Sequence, residues 1–142
     1  MIRHFTIKDY DEVYALWNRT PGVGLRSLDD SREGIERFIL KNPNTNFVAV
    51  ESGKLIGVTL SGHDGRRGYI YHTCVEEESR RRSIGRQLIN EVIRAMKEEG
   101  ITKLSLVCFA ENEKGNNFWN SLGWSQRKDL NYYNVSINND NK

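Results

Sequence analysis

The sequence "EESRRRSIGRQL" at residues 77–88 decides how this chain is interpreted. Three consecutive arginines, Arg80 to Arg82, are followed by a serine, an isoleucine and a glycine, and an amphipathic pattern begins directly after them. A helix N-terminus carries unpaired N–H groups and a partial positive charge, so it attracts anions. The stretch therefore favours a site for a phosphate-bearing ligand, with a solvated basic surface as the alternative.

The segments on both sides of the basic stretch predict where it lies in the fold. Residues 84–99 have the strongest helical periodicity of the chain, and Gly100 follows as a C-terminal stop. The apolar runs 69–75 and 102–108 are typical of buried strands. The order strand, helix, strand predicts two parallel strands joined by a crossover. Ligands of such units bind beyond the carboxyl ends of the strands, which is where the arginines lie.

The rest of the chain predicts further helices and strands around this centre. A first strand lies near the N-terminus, two helices follow it, and a β-meander leads into the basic stretch. A short helix and two final strands complete the pattern. The predicted strands outside the centre are 1–5, 46–51, 55–62, 124–128 and 131–137, and the predicted helices are 9–20, 29–43 and 112–122.

Length and charge limit the class of protein. A chain of 142 residues is expected to form one domain, here residues 1–137, followed by a disordered tail at 138–142. A net charge of +2 is small for a general nucleic-acid binder. The N-terminus is charged from its third residue, and no apolar run reaches the ~20 residues of a membrane span. These features predict a cytoplasmic protein that binds neither nucleic acid nor membrane.

Two cysteines, Cys74 and Cys108, lie inside apolar, strand-like runs. We expect both to be reduced core thiols, with a disulfide or a catalytic thiol as the alternatives. The three histidines are scattered, and no Cys/His cluster has the spacing of metal ligands, so no metal site is predicted.

The stretch "VEEESRRRSIGRQL" resembles the acetyl-CoA-binding signature of the GNAT family of N-acetyltransferases. That signature has Gln or Arg, two residues, Gly, one residue, and then Gly or Ala. Arg80 takes the first place and Gly85 the last, while Ser83 stands where the first glycine is usual. We expect Gly85 to let a ligand approach the backbone where a Cβ would collide. Serine keeps the backbone donor but tolerates a positive φ less well than glycine. We therefore expect the diphosphate-binding loop to be kept, in a slightly different position from that usual in the family.

A second stretch, "NEKGNNFWNSLGW" at residues 112–124, is similar to another signature of the same family. Asn112 is followed seven residues later by the aromatic Trp119, and then by "LG" and a further aromatic residue. The phrase "GHDGRRG" at 62–68 also resembles a small, bacterial-type, single-domain subgroup. The resemblance covers nearly the whole chain. It implies an α/β fold on a mixed sheet (α+β), in the order β-α-α-β-β-β-α-β-α-β-β, with a central splayed pair of parallel strands.

The resemblance also implies an activity and a set of site residues. The activity is transfer of an acetyl group from acetyl-CoA, as co-substrate, to a primary amine of a small molecule or a peptide. By this resemblance, backbone groups at Cys74 and Val75 bind the pantetheine arm, Asn112 lies near the thioester and Trp119 near the sulfur. The residues expected to hold the diphosphate are Arg80, Arg81, Arg82, Ser83, Ile84, Gly85 and Arg86.

No residue has a clear catalytic signal. The family often has a tyrosine as general acid where this chain has Trp119, and an indole N–H does not give up its proton usefully. When the family uses a base on the third meander strand, its places correspond to Tyr71 and Tyr69, which we take as catalytic candidates. Strict alternation along a strand would place His72 on the opposite side, as a buried or helix-packed histidine.

The acceptor amine is not evident from the sequence. The loop 21–30 and the segment "KDLNYY" at 128–133 would line its side of the site. Possible contacts, each equally consistent with ordinary surface, are Arg26, Asp29, Asp30, Tyr132 and Tyr133. A non-catalytic acyl-CoA-binding module and a nucleic-acid binder remain as alternatives. The chain is expected to be a monomer or a homodimer.

Overall fold

The computed structural model describes residues 1–142, apart from the side chain of Arg81. It contains one mixed sheet of five strands in the order β1-β2-β3-β4-β5, with four α-helices and two short 3-10 segments. The strands are β1 (Ile2–His4), β2 (Phe47–Glu51), β3 (Lys54–His63), β4 (Gly68–Val75) and β5 (Leu104–Ser105). The helices are α1 (Tyr10–Asn18), α2 (Arg32–Lys41), α3 (Ile84–Glu98) and α4 (Glu113–Ser121), and the 3-10 segments are Ile7–Asp9 and Glu77–Arg82.

Strands β1 to β4 are antiparallel neighbours, and β5 runs parallel to β4. The predicted mixed sheet with a parallel pair of strands is therefore confirmed, but the pair lies at the edge of the sheet rather than at its centre, because β5 is the last strand in the order. The first nine predicted elements are all present, and the bounds of α3 agree with the prediction to within one residue.

The C-terminal strands are the main difference from the prediction. β5 is limited to Leu104–Ser105 rather than 102–108, and the described chain has no strand at 124–128 or 131–137. β5 itself has only two residues, so it offers a later strand too short an edge to pair with. Apolar side chains of this last segment are consequently exposed: Leu130, Tyr132, Tyr133, Val135 and Ile137.

Two hydrophobic cores cover the two faces of the sheet. Helix α3 packs on one face through an apolar stripe that includes Leu88, Ile89 and Val92. Helix α1 covers the other face through Val13, Leu16 and Trp17. Burial on both faces fixes the sheet as a rigid platform on which the loops at its edge are carried.

Residues 138–142, expected to be a disordered tail, lie against the loop that precedes α2. The Asn141 side chain accepts hydrogen bonds from the N–H groups of Leu28 and Asp29, at 3.0 and 3.1 Å. None of the described helices is long and apolar enough to cross a membrane.

Candidate active site

The two parallel strands separate toward their carboxyl ends. β4 pairs with β5 only at Gly68–Leu104 and Tyr69–Ser105. From residue 70 to residue 75, the β4 edge that faces β5 has no strand partner in the described chain. Backbone N–H and C=O groups on such an edge need hydrogen-bond partners, so the opening can accept an extended ligand.

The basic turn lies at the end of this opening. Residues 77–82 form a 3-10 segment, and Ser83 follows with φ 62° and ψ 21°, in the left-handed region. Helix α3 then begins, and its first bond runs from the Gln87 N–H to the Ser83 carbonyl at 3.0 Å. The N–H groups of residues 84–86 belong to the first turn, which an α-helix leaves without an intrahelical acceptor.

An open cavity of about 200 Å³ lies directly beside this turn. Four residues predicted to bind the diphosphate line it, namely Arg80, Ser83, Gly85 and Arg86. The other wall comes from α4 and its C-terminal cap, through Phe118, Ser121 and Leu122. Those three were not among the predicted site residues. The only available signal for them was the position of Leu122 in the second family signature.

The arginines of the turn have different partners. Arg80 donates from Nε to the Val75 carbonyl at 2.9 Å. The Arg82 guanidinium forms a two-pronged ion pair with the Glu51 carboxylate, at the end of β2. The side chain of Arg81 lies outside the described residues. Arg80 and Arg86 are therefore the arginines whose described side chains line the cavity.

Gly85 has a different role from the one its motif suggests. A Cβ at this position would lie 2.9 Å from Cε1 of Phe118, closer than real Cβ contacts allow. The glycine thus lets the Phe118 ring pack on the first turn of α3. Its side-chain direction is filled by that ring rather than open to a ligand.

Cys74 and Val75 end strand β4, as the prediction required. The Cys74 thiol is buried, and burial raises its pKa from 9.0 to about 12. Its alternative role as a nucleophile is therefore disfavoured, because the thiolate is the reactive form. Both cysteines are free thiols in the structure.

Asn112 is the N-cap residue of α4, and Trp119 lies within that helix, which follows β5 in the chain. Asn112 caps the helix by accepting from the Gly115 N–H at 3.0 Å. Its Nδ2 atom also packs against Gly22 in the loop that follows α1. Trp119 is half-buried between the rings of Phe118 and Trp124, with both centroid distances 4.9 Å. Asn112 therefore joins α4 to the loop after α1, and Trp119 joins it to the α3 core.

The predicted alternation of side chains along β4 is wrong at its centre, because the strand carries a β-bulge. Thr73 pairs with Thr59 and Ile70 pairs with Ser61, so three steps on β4 oppose two on β3. Tyr71 packs edge-on against Phe38 of α2, and His72 against Trp17 of α1. Both side chains therefore lie on the α1/α2 side of the sheet, and His72 does not point away from Tyr71.

Tyr69 and Tyr71 form an aromatic pair on that side, with ring centroids 4.7 Å apart. Burial raises the pKa of both phenols above 10.0. Tyr132 adds to the effect at both positions, and Asp29 adds to it at Tyr71. A higher pKa leaves a smaller fraction of each tyrosine near pH 7 as the phenolate, which is the form that accepts a proton, so neither tyrosine is well suited to act as a base.

Two of the possible acceptor contacts, Asp29 and Tyr132, are among the groups that raise the pKa of Tyr71. Asp30, by contrast, is buried, and its carboxylate accepts a hydrogen bond from Nε2 of His72 at 2.9 Å. Arg26 of the loop and Tyr133 of the segment 128–133 are exposed, and neither has a described side-chain hydrogen bond.

The structure also shows a buried carboxylate that the sequence did not indicate. Glu76 directly follows β4 and is buried, and it forms an ion pair with Arg19 at the end of α1. Nothing in the run of three glutamates at 76–78 distinguishes its first member, because only the fold shows which of them faces inward.

The fold of this chain, a mixed sheet that opens between two parallel strands, is similar to the folds of several solved structures. Ard1 from Thermoplasma volcanium superimposes with a TM-score of 0.76 at 19% identity, over 87% of this chain and 80% of that one. The aminoglycoside N-acetyltransferase AAC(6')-Iy, solved with a bisubstrate analogue of CoA and acetylneamine, gives 0.74 at 20% identity, over 96% and 98%.

A ribosomal-protein-alanine N-acetyltransferase from Brucella melitensis biovar Abortus 2308 gives a TM-score of 0.69 at 17% identity, over 96% of this chain and 98% of that chain. These likenesses confirm the fold. The sequence model of the acetyltransferase (GNAT) family matches residues 10–124. The chain therefore belongs to this family, and it is an acetyl-CoA-dependent N-acetyltransferase.

Proposed function

We propose that the chain transfers the acetyl group of acetyl-CoA to a primary amine by direct attack, without a covalent enzyme intermediate. The observation that carries this proposal is the basic cavity at the start of α3, beside an unpaired edge of β4. Cofactor and acceptor would meet where β4 and β5 separate.

Each end of the coenzyme has candidate contacts. The cavity residues Arg80 and Arg86, with the first-turn N–H groups of residues 84–86, would hold the diphosphate. The free edge of β4 near Cys74 would bond the pantetheine arm in the manner of an added strand. Asn112 and Trp119 would lie toward the thioester.

The chemical step depends on delivering a neutral amine. A lysine-like amine has a pKa of about 10.4, so roughly one molecule in a thousand is neutral near pH 7. An amine that leaves water to enter the opening between β4 and β5 loses solvation, and desolvation disfavours its charged form. The amine nitrogen then bonds to the thioester carbonyl carbon, the C–S bond breaks, and the proton lost by the amine neutralises the thiolate.

No strong acid or base is needed in this scheme. The leaving thiol has a pKa of about 8.5 if cysteine is the guide, so its protonation contributes little. Trp119 can donate a hydrogen bond to sulfur but no proton. Positioning of the two substrates would supply most of the rate, with water as the proton carrier.

The test is release of free CoA thiol when the protein is mixed with acetyl-CoA and a panel of amines. Neamine and a short peptide with an N-terminal alanine enter the panel because they match acceptors named for structurally similar proteins. Spermidine adds a flexible polyamine. Thiol release that depends on one of these amines supports the proposal. Binding of acetyl-CoA without turnover of any amine would favour the non-catalytic module instead.

The cavity is tested separately with a charge reversal. Arg86→Glu should raise the Kd for acetyl-CoA by roughly 10- to 100-fold, the scale of losing one charge-assisted contact and adding repulsion. Arg66→Glu makes the same charge change in the β3–β4 turn and is the matched control. Equal effects of the two substitutions would show that overall charge, not this cavity, governs binding. A cytoplasmic location and the oligomeric state stay predictions.

A further inference from the structure

His72 and Asp30 form a buried pair between β4 and the loop that precedes α2. Nε2 of His72 lies 2.9 Å from Oδ1 of Asp30, and the two side chains are only 18% and 6% exposed. Because a carboxylate can only accept, the imidazole N–H donates. The Trp17 ring packs against the imidazole at a centroid distance of 5.0 Å and an interplanar angle of 73°, which fixes its orientation.

Asp30 also closes the loop on itself. Its second oxygen, Oδ2, accepts from the Arg26 N–H at 2.7 Å, and its own N–H donates to the Arg26 carbonyl at 3.1 Å. Its carbonyl accepts from the Tyr10 hydroxyl at 2.6 Å. Every polar group of Asp30 is thus engaged, and the pair with His72 is the side-chain bond that joins loop 26–30 to the sheet.

The position of this link matters because of the bulge in β4. The bulge turns the side chains of Tyr71 and His72 to the same side of the sheet. The loop that His72 binds through Asp30 therefore lies on the same side of the sheet as Tyr71. Phe38, on the helix that follows the loop, packs edge-on against the ring of Tyr71, which is half exposed. The loop therefore forms a border of the exposed tyrosine surface near the opening between β4 and β5.

We propose that His72 is a positioning residue for the acceptor amine: through Asp30 it holds loop 26–30 against β4 and so shapes the side of the site that the amine enters. This role rests on the proposed acetyl transfer. The imidazole acts through the loop rather than on the amine, because its side chain is only 18% exposed and packs against the Trp17 ring.

The experiment compares two substitutions at one position. His72→Gln keeps a donor near the place of Nε2, whereas His72→Leu keeps similar volume and removes the donor. The matched control is His63→Leu, which breaks a second histidine–carboxylate pair, His63–Glu99 at 2.7 Å, on the α3 side of the sheet. Thermal unfolding establishes that each variant is folded.

Steady-state kinetics use acetyl-CoA and the panel amine that the wild type turns over fastest. His72→Leu should raise the KM of that amine roughly tenfold, the scale of one lost hydrogen bond to a charged group, and leave the KM of acetyl-CoA within about twofold. His72→Gln should restore most of the difference, and His63→Leu should change neither constant. A fall in kcat with an unchanged amine KM would overturn the proposal, and so would an equal rise in both KM values.

Amide hydrogen exchange gives a readout that needs no amine. The Arg26 and Asp30 N–H groups should exchange roughly tenfold faster in His72→Leu than in the wild type or in His72→Gln. Unchanged exchange would overturn the tethering role. If the wild type releases no thiol with any panel amine, acetyl transfer fails as the proposed function, and the exchange result alone decides whether His72 holds the loop.

Discussion

Ser83 has a backbone conformation that glycine adopts more easily than any other residue. It has φ 62° and ψ 21° at the junction between the basic turn and α3. The sequence differs from the family signature at Ser83, and the backbone strain is confined to this residue. Helix α3 still begins directly after it, at Ile84. A left-handed conformation costs a residue with a Cβ about 1–2 kcal/mol.

We expect Ser83→Gly to raise the free energy of unfolding by about 0.5–1 kcal/mol, since relief of strain is partly offset by the greater freedom of glycine in the unfolded chain. Acetyl-CoA affinity should be kept, because the backbone donors stay in place. Urea unfolding and calorimetric titration measure the two effects. Ser52→Gly, at the chain's other non-glycine residue with a positive φ, is the control that should stabilise without involving the cavity. Loss of affinity in Ser83→Gly alone would show that the serine hydroxyl binds the ligand.

The stability of the folded protein at alkaline pH depends in part on the Cys74 thiol. Its pKa is raised by burial to about 12 from 9.0, so the folded state retains the thiol proton longer than the unfolded chain does. The associated stability is fully present below pH 9 and is lost as the pH rises toward 12.

The free energy of unfolding of the wild type should therefore fall, relative to that of Cys74→Ala, by about 1 kcal/mol between pH 8 and pH 10. The difference between the two proteins should be constant below pH 8, where it reflects only the lost packing. Chemical denaturation across this pH range measures it, with Cys108→Ala as the less buried control. Parallel stability curves for wild type and Cys74→Ala would contradict the raised pKa.

At the scale of elements, the site depends on how α4 meets the first turn of α3. Gly85 allows the two helices to pack closely, because the Phe118 ring of α4 occupies the space that a Cβ at position 85 would need. Phe118 is also part of the cavity wall. A change at position 85 would consequently alter helix packing and the cavity together, so a large residue there is not a clean test of coenzyme binding.

A double-mutant cycle separates the two contributions. Gly85→Ala should destabilise the wild type by about 1–2 kcal/mol, because a ring and a methyl group are forced together. In a Phe118→Ala background the same substitution should be neutral or stabilising by up to about 1 kcal/mol, since alanine is the better helix former. Denaturant unfolding of the four proteins gives the coupling energy. Equal effects in the two backgrounds would mean that Phe118 is not the obstacle.

The elements also show where sequence patterns carry information. Helix α3 was predicted closely because its apolar face repeats over four turns and Gly100 ends it. The bulge in β4 was missed because Tyr71 and His72 are both amphipathic, so neither contradicts a regular alternation. The role of Gly85 was missed because its partner Phe118 lies in another helix, and its motif gave a different reason for a glycine there.

At the scale of the whole molecule, the loop before α2 is held from two directions. His72 of β4 binds it from the sheet through Asp30, and residues 140–142 bind it from the C-terminal end of the chain. No local pattern predicts the second contact, which joins positions more than a hundred residues apart. A polar run of asparagines and an aspartate is typical of a disordered tail, and only the folded surface provides its partners.

Asn141 makes half of the hydrogen bonds of this contact through one side chain, and Ser27 makes the other half. Oδ1 of Asn141 accepts from the Leu28 and Asp29 N–H groups, and its Nδ2 donates to Asp29 at 2.8 Å. All three bonds are exposed, so Asn141→Ala should change the free energy of unfolding by less than about 1 kcal/mol. The Leu28 and Asp29 amides should nevertheless exchange several-fold faster, because their acceptor is removed while the Asp30–His72 link remains. Asn139→Ala is the matched control, since the described contacts of that side chain include no hydrogen bond. If exchange at Leu28 and Asp29 is the same in both variants, Asn141 does not hold the loop in solution, and this edge of the acceptor side is held by the Asp30 bonds to His72 and Tyr10 and by the Ser27 bonds to residues 140 and 142.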